Sequence, residues 1–201
     1  MTSPCAAGAT PCDLGATPCA VGVIHGRFQV LHNDHLRYLL AGKALCRFLV
    51  VGVTNPDPSH TRPEAADPHR SRAEANPLTY YERALLVRAA LAEAGVPLDR
   101  FMVTPLPVNL PELLHHYAPR NATYFLSICD DWGRRKLERF QSLGLATHVL
   151  WDVPTEEKGL TGTRVRALMA AGGDWRSLVP PAVARLLDEW DIPARLRATA
   201  T

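Results

Sequence analysis

Two histidines lie three residues apart in the stretch GRFQVLHNDH, which begins at Gly26. His32 and His35 follow a short β-branched run, VGVIH, at residues 21–25, and the turn that begins at Gly26. We place a helix from about residue 33, so that both imidazoles share one face of its first turn. The glycine exposes backbone N–H groups, and the positive end of the helix faces the same space, which favours an anion site. The pattern therefore predicts two imidazoles that donate hydrogen bonds to one phosphate and stabilise the charge that grows on a phosphorus under attack.

Two other interpretations of the histidine pair stay open at this point. Paired histidines on a helix also bind metal ions, although usually at positions i and i+4 with help from a carboxylate. Two unrelated surface histidines are the plainer alternative. The spacing of three residues at a helix start favours phosphate binding over both of them.

The hydrophobic pattern predicts the scaffold that would position the histidines. Short runs that are apolar on both faces are typical of strands buried in a parallel sheet, and they span 21–25, 47–53, 100–106, 123–128 and 147–152. Helical patterns alternate with them at 33–46, 79–94, 110–117, 132–143, 162–172 and 181–190. This alternation predicts an α/β fold with a doubly wound, five-stranded parallel sheet and a C-terminal helical tail. Ligands bind such sheets beyond the carboxyl ends of the strands, where the histidine stretch lies.

The composition is that of a globular protein, with 47% hydrophobic and 21% charged residues in a chain of 201. We expect one folded domain over residues 21–198, long enough to bury a full core. Residues 1–20 are rich in small residues and proline, and we expect them to form a disordered extension. A polar, proline-rich loop at 55–76 is too long for an ordinary connection, and it is either a lid over an anionic ligand or a solvated insertion.

Charge and cysteine content restrict the partners and the compartment. The net charge of +2, with no long Lys or Arg block, argues against a nucleic-acid partner. No apolar stretch has the length needed to span a bilayer, so we expect no membrane partner. Five cysteines, an odd number, and the lack of a signal-peptide pattern favour a reducing cytoplasm. Homo-oligomerisation stays open.

The motifs resemble those of a known family. GRFQVLHNDH resembles the G-R-F-Q-P-x-H-x-G-H signature of the nucleotidylyltransferase superfamily, in the form found in archaeal-type nicotinamide-mononucleotide adenylyltransferases. GLTGTRVRALM, at 159–169, resembles a second signature, I-S-G-T-x-I-R-x-x-M, which opens a late helix. SHT at 59–61, NPLTYYER at 76–83 and the tail at 172–197 resemble further family segments in the same order. The resemblance covers residues 21 to about 198.

The resemblance implies a Rossmann-like nucleotidylyltransferase domain and assigns roles to matching positions. It implies three catalytic residues: His32, His35 and Arg166. It implies nucleotide binding by Gly26, Arg27, Phe28, Gln29, Asp34, Thr161, Gly162 and Thr163, and acceptor binding by Asn76, Asp131 and Trp132. Trp132 would stack on an acceptor ring, although simple packing is the alternative. The substrates would be small-molecule nucleotides, with Mg²⁺ held mainly by the triphosphate and no dedicated metal site.

The reaction implied first is transfer of an adenylyl group from ATP to nicotinamide or nicotinate mononucleotide, with release of pyrophosphate. Two departures from the family pattern favour an alternative: Asp34 stands where the family has glycine, and SICDDWGRRK (127–136) differs from the family's acceptor loop. That alternative is a cytidylyltransferase acting on a small phospho- or phosphono-alcohol. A non-catalytic nucleotide sensor is a third possibility, because Asp34 places a negative charge where a triphosphate would lie. The case for a tRNA-binding role is weak, because the chain is too short to include an anticodon-binding domain.

Overall fold

The computed structural model of the protein describes residues 18–58, 75–157 and 159–198. Within these ranges the strands are β1 (Cys19–Gly26), β2 (Cys46–Val53), β3 (Phe101–Pro105), β4 (Thr123–Ile128) and β5 (Ala146–Asp152). The α-helices are α1 (Asn33–Ala44), α2 (Tyr80–Glu93), α3 (Leu114–Tyr117), α4 (Asp131–Ser142), α5 (Gly162–Ala170), α6 (Pro181–Glu189) and α7 (Ile192–Ala198). None of the helices in the described ranges is long and apolar enough to cross a membrane.

All five strands are parallel and pair in the order β3-β2-β1-β4-β5. The chain moves outward from β1 to β2 and β3, and then crosses back to add β4 and β5 on the other side of β1. The predicted doubly wound α/β fold is therefore confirmed. The order reverses between β1 and β4, which is the place where open α/β sheets bind ligands.

Alternating strand residues feed two hydrophobic cores, one on each face of the sheet. Ile24 of β1 and Phe125 of β4 pack with residues of α1, α2, α5, α6 and α7. Val23 and Leu126, their neighbours in sequence, pack on the other face with Phe140 of α4 and with α3. Burial on both faces explains why the strands read as continuous apolar runs.

Several element boundaries differ from those predicted. β1 begins at Cys19, inside the predicted extension, because the Cys19 N–H donates to Leu45 O at 3.0 Å and Cys19 pairs with Cys46. The predicted helix at 110–117 is divided into a 3-10 turn, Pro111–Leu113, and α3. Residues 1–17, the SHT segment and most of the loop at 55–76 lie outside the described residues.

Candidate active site

A cavity of about 450 Å³ lies beyond the carboxyl ends of β1 and β4. The turn before α1, the residues between β4 and α4, and the loop before α5 form most of its walls. All eight predicted nucleotide-binding residues line it, as do both predicted catalytic histidines and Trp132: Gly26, Arg27, Phe28, Gln29, His32, Asp34, His35, Trp132, Thr161, Gly162 and Thr163. The roles of these residues stay predictions, but the fold brings them to one place.

The two histidines form a stacked pair at the start of α1. His32 is the N-cap residue and His35 is the third residue of the helix, so their rings lie with centroids 3.7 Å apart and planes inclined by 24°. The Nδ1 atom of His35 accepts a hydrogen bond from the backbone N–H of His32 at 3.4 Å. A neutral His35 must then carry its proton on Nε2. The side chain of His32 is 3% exposed, and its Nδ1 has no hydrogen-bond partner within the described residues.

Burial favours the neutral form of both imidazoles. Burial lowers the pKa of His32 to about 4. Burial also holds the pKa of His35 well below 6.5. A proton on His32 and the positive charge of Arg27 each lower it further, whereas the carboxylate of Asp34 raises it. Each ring can therefore offer an N–H donor, and a bound polyphosphate would favour the protonated form. In the described parts of the chain, no group of three or more His, Cys, Asp or Glu side chains is arranged to hold a metal ion.

Asp34 joins the start of α1 to the loop before α5. One carboxylate oxygen accepts the backbone N–H of Leu160 at 2.6 Å, and the other lies 3.9 Å from the guanidinium of Arg37. From the sequence we expect this carboxylate to place its negative charge where a triphosphate would lie. Its partner is instead a backbone amide next to the Thr161–Thr163 segment. The residue that departs from the family pattern thus orders a wall of the cavity.

The first turn of α5 packs directly on the turn before α1. A side chain at Gly162 would place its Cβ 2.4 Å from the carbonyl oxygen of Gln29, so glycine is needed for this approach. Thr161 caps α5 by accepting the N–H of Arg164 at 3.3 Å. Arg166 donates to the same Gln29 carbonyl and, at 3.3 Å, to the hydroxyl of Thr163. The described lining residues do not include Arg166, but its guanidinium contacts the carbonyl of Gln29, three residues before His32.

The predicted acceptor-binding residues are only partly brought together. Trp132 lines the cavity, and the ammonium of Lys136 lies 4.4 Å from the centroid of its ring. Asp131 and Asn76 are not among the described residues that line the cavity, and their acceptor-binding role stays a prediction. Asp131 is exposed in the first turn of α4, and its neighbour Asp130 lines the cavity instead. Asn76 lies two residues before Leu78. The side-chain amide of Gln29 donates to the Leu78 carbonyl at 2.8 Å and accepts the Leu78 N–H at 2.9 Å, so it holds this segment.

Arg83 of α2 supports the floor of the site and was not predicted. Its side chain is 1% exposed and donates to five backbone carbonyls, at distances between 2.8 and 3.2 Å: those of Arg27, Thr54, Asn55, Pro56 and Thr79. These bonds tie the loops after β1 and β2 to the start of α2. The signal in the sequence was an arginine three and four residues before buried Leu86 and Val87, on the apolar face of a helix.

His25, Ser127 and Lys136 are among the lining residues to which the sequence motifs assign no individual role. The sequence pattern assigns His25 to the first strand, and a polar ring at the carboxyl end of an apolar strand is a signal for a site residue. Ser127 is likewise the penultimate residue of an apolar strand, β4. Lys136 is one helical turn beyond Trp132, on the same face of α4.

Comparisons with known proteins agree with this geometry. The family model described as Cytidylyltransferase-like matches residues 23–167. The chain is 54% identical to phosphonoformate cytidylyltransferase from Streptomyces viridochromogenes, over 88% of this chain and 95% of that protein. It is 30% identical to nicotinamide-nucleotide adenylyltransferase from Ignicoccus hospitalis, over 86% of this chain and 93% of that protein.

A solved structure shows the same fold. It is a bifunctional NMN adenylyltransferase/ADP ribose pyrophosphatase from Francisella tularensis, with a TM-score of 0.61 and 16% sequence identity. The match covers 85% of this chain and 50% of that one, so this chain corresponds to about half of the bifunctional protein.

Proposed function

The chain belongs to the cytidylyltransferase-like family of nucleotidylyltransferases, and from this premise we propose that it transfers a cytidylyl group from CTP to a short phosphonate acid. The observation that carries the proposal is the 54% identity to phosphonoformate cytidylyltransferase over nearly the whole of both chains. The cavity supports it, because its donor groups suit phosphate and because one wall comes from the segment at 127–136, which differs from the family's acceptor loop.

The reaction predicted first, from ATP and a nicotinamide or nicotinate mononucleotide, is wrong. Relatives with adenylyltransferase names share about 30% of their residues with this chain, well below the 54% shared with the cytidylyltransferase. The cytidylyl alternative is better supported. Its acceptor differs from the phosphono-alcohol first considered, since phosphonoformate carries a carboxylate on the phosphonate.

The proposed reaction is an in-line displacement at the α-phosphorus of CTP. A phosphonate oxygen of the acceptor forms a bond to this phosphorus, and the bond from the phosphorus to the oxygen that bridges to the β-phosphate breaks. Pyrophosphate leaves with the electron pair, and the product is a mixed anhydride of CMP and the phosphonate. Such chemistry depends on positioning and on stabilisation of charge more than on covalent help from the protein.

His32 and His35 are the proposed donors to the phosphate oxygens that gain charge. The ring of His32 is buried and that of His35 is partly buried, and both lie at the positive end of α1, where a hydrogen bond to an anion is strong. The first turn of α5 would hold the β- and γ-phosphates through the N–H groups and hydroxyls of Thr161 and Thr163. Arg166 would add charge at this end by turning from the Gln29 carbonyl toward the phosphates.

We expect Mg²⁺ to enter bound to the triphosphate. Asp34 and Asp130, the two carboxylates among the described lining residues, each accept a backbone N–H, at 2.6 and 2.9 Å. The remaining donor set of imidazoles, hydroxyls and backbone amides suits phosphate oxygens that already carry a cation. The ion would neutralise phosphate charge, and removal of Mg²⁺ with a chelator should abolish pyrophosphate release.

The experiment is to incubate the purified full chain with CTP, ATP, GTP or UTP and with phosphonoformate or nicotinamide mononucleotide, and to measure pyrophosphate. We expect release with CTP and phosphonoformate, and a new ³¹P signal for the mixed anhydride. Replacing His35 with Asn should reduce turnover roughly a hundredfold to a thousandfold. His115→Asn, an exposed histidine outside the cavity, is the matched control and should leave turnover unchanged. CTP binding without pyrophosphate release from any short phosphonate would overturn the proposal and favour a sensor.

A further inference from the structure

We propose that His25 and Lys136 form an anion-binding subsite for the acceptor, which takes the carboxylate of a short phosphonate and selects such acids over phosphonates that lack it. This inference rests on the proposed function, because it names the feature by which the same cavity would recognise its acceptor. Neither residue belongs to the histidine or threonine signatures identified in the sequence.

His25 is a buried polar side chain directed into the cavity. It is the last residue before Gly26 in β1, beside the point where the sheet order reverses, and it is 5% exposed. Neither of its ring nitrogens has a hydrogen-bond partner among the described residues. Leaving a buried donor and acceptor unpaired is costly, and such groups in native proteins require a specific reason. A ligand that pairs with the ring would supply that reason.

One face of α4 completes the subsite. Trp132, Lys136 and Phe140 are spaced four residues apart, so they lie along one side of the helix. The ring of Phe140 packs against His25 with the centroids 5.2 Å apart, and Lys136 lies over the ring of Trp132. Phe140 therefore packs against the imidazole of His25, and Trp132 and Lys136 line the same cavity as that imidazole. Aromatic walls around an ammonium group exclude water and strengthen its attraction to an anion.

The charge state of these groups suits an anion that arrives with the acceptor. Burial, and then the nearby ammonium of Lys136, hold the pKa of His25 well below its ordinary value, which favours the neutral ring. A neutral imidazole still donates one N–H to a carboxylate, and the carboxylate would offset the repulsion from Lys136. The carboxylate of phosphonoformate is bonded directly to its phosphorus, so an acceptor held here keeps its phosphonate next to the nucleotide. In the same cavity the histidine pair at the start of α1 is available for the phosphates.

The test measures equilibrium binding of phosphonoformate and of methylphosphonate, which lacks the carboxylate, in the presence of a non-hydrolysable CTP analogue. His25→Phe keeps a ring of similar size beside Phe140 and removes both nitrogens, and Lys136→Met removes the charge. We expect each to weaken phosphonoformate binding roughly tenfold to a hundredfold, as the loss of a hydrogen bond to a charged group would. Methylphosphonate binding should stay unchanged.

Matched variants separate recognition from packing. His25→Gln and Lys136→Arg keep a donor and a charge, and both should recover part of the affinity. Arg135→Met removes an exposed charge from the same helix, outside the lining, and should change neither acceptor. Equal loss for both acceptors, or unchanged phosphonoformate affinity in His25→Phe and Lys136→Met, would overturn the subsite while leaving cytidylyl transfer intact. Selective loss of phosphonoformate binding would support the subsite even if no pyrophosphate were released.

Discussion

Replacing Asp34 with alanine tests whether this carboxylate acts by ordering the loop before α5. In the structure its oxygen accepts the Leu160 N–H at 2.6 Å, next to the segment proposed to hold the β- and γ-phosphates. Loss of the acceptor should let residues 159–161 open more often. The same substitution also removes a negative charge from the cavity wall, which alone would favour binding of a triphosphate. The two effects have opposite signs, so the measurement can distinguish them.

The size of the effect follows from the bond. Hydrogen bonds to charged groups contribute about 1.5–3 kcal/mol, and we take the lower end because the Asp34 side chain is 24% exposed. About 1.4 kcal/mol is a tenfold change in an equilibrium. Asp34→Ala should therefore raise the open population of the loop roughly tenfold. Asp34→Asn keeps an acceptor without the charge and should raise it only about threefold.

Amide hydrogen exchange at Leu160 measures the opening directly, because exchange follows the free energy of the local opening. We expect roughly tenfold faster exchange in Asp34→Ala and a similar rise in the KM for CTP, with a smaller change in kcat. Asp99→Ala, which removes an exposed carboxylate distant from the cavity, should change neither. Unchanged Leu160 exchange would refute the ordering role. A KM that falls in both Asp34 variants would show that charge repulsion, and not loop order, dominates.

Three further predictions follow from single features of the structure. Arg83→Met leaves five backbone carbonyls without their donor. It should lower the free energy of unfolding, measured in urea, by about 3–5 kcal/mol. Arg88 is exposed on the same helix, and Arg88→Met should change this free energy by less than about 0.5 kcal/mol. Gly162→Ala forces a Cβ against the Gln29 carbonyl and should reduce the rate of pyrophosphate release roughly a hundredfold. The circular dichroism spectrum should stay that of the folded protein. Full activity would contradict the close packing of α5 on the turn before α1. Burial lowers the pKa of His32 to about 4, so between about pH 6.5 and pH 4 the unfolded chain binds a proton there and the folded protein does not. The free energy of unfolding should therefore decrease as the pH is lowered across this window, by at most about 3 kcal/mol from this residue. His32→Asn should make the decrease in Tm over the same pH range shallower.

The first prediction of substrate failed for a physical reason. The two signatures, GRFQVLHNDH and GLTGTRVRALM, lie around the space proposed for the triphosphate, which is the same in ATP and CTP. They predicted nucleotidylyl transfer correctly but carried no information about the base or the acceptor. The departures at Asp34 and at 127–136 were the residues that favoured the cytidylyl alternative.

The sequence by itself determined the elements and their order. Apolar runs, helical periodicity and the glycine turn are local patterns, so they located the five strands, the start of α1 and the first turn of α5 to within a few residues. The parallel topology then placed the histidine stretch at the edge of the sheet where ligands bind.

Only the tertiary structure decided which polar groups meet. Asp34 and Leu160 are 126 residues apart in sequence, and the Arg83 guanidinium joins loops that no periodic pattern connects. His25 and Lys136 come from different elements, and no motif links them. Their shared cavity exists because β1 and β4 are neighbours in the sheet and α4 folds back over both. Side-chain partners across such distances depend on how the layers pack, and a one-dimensional pattern of hydrophobicity does not contain that information.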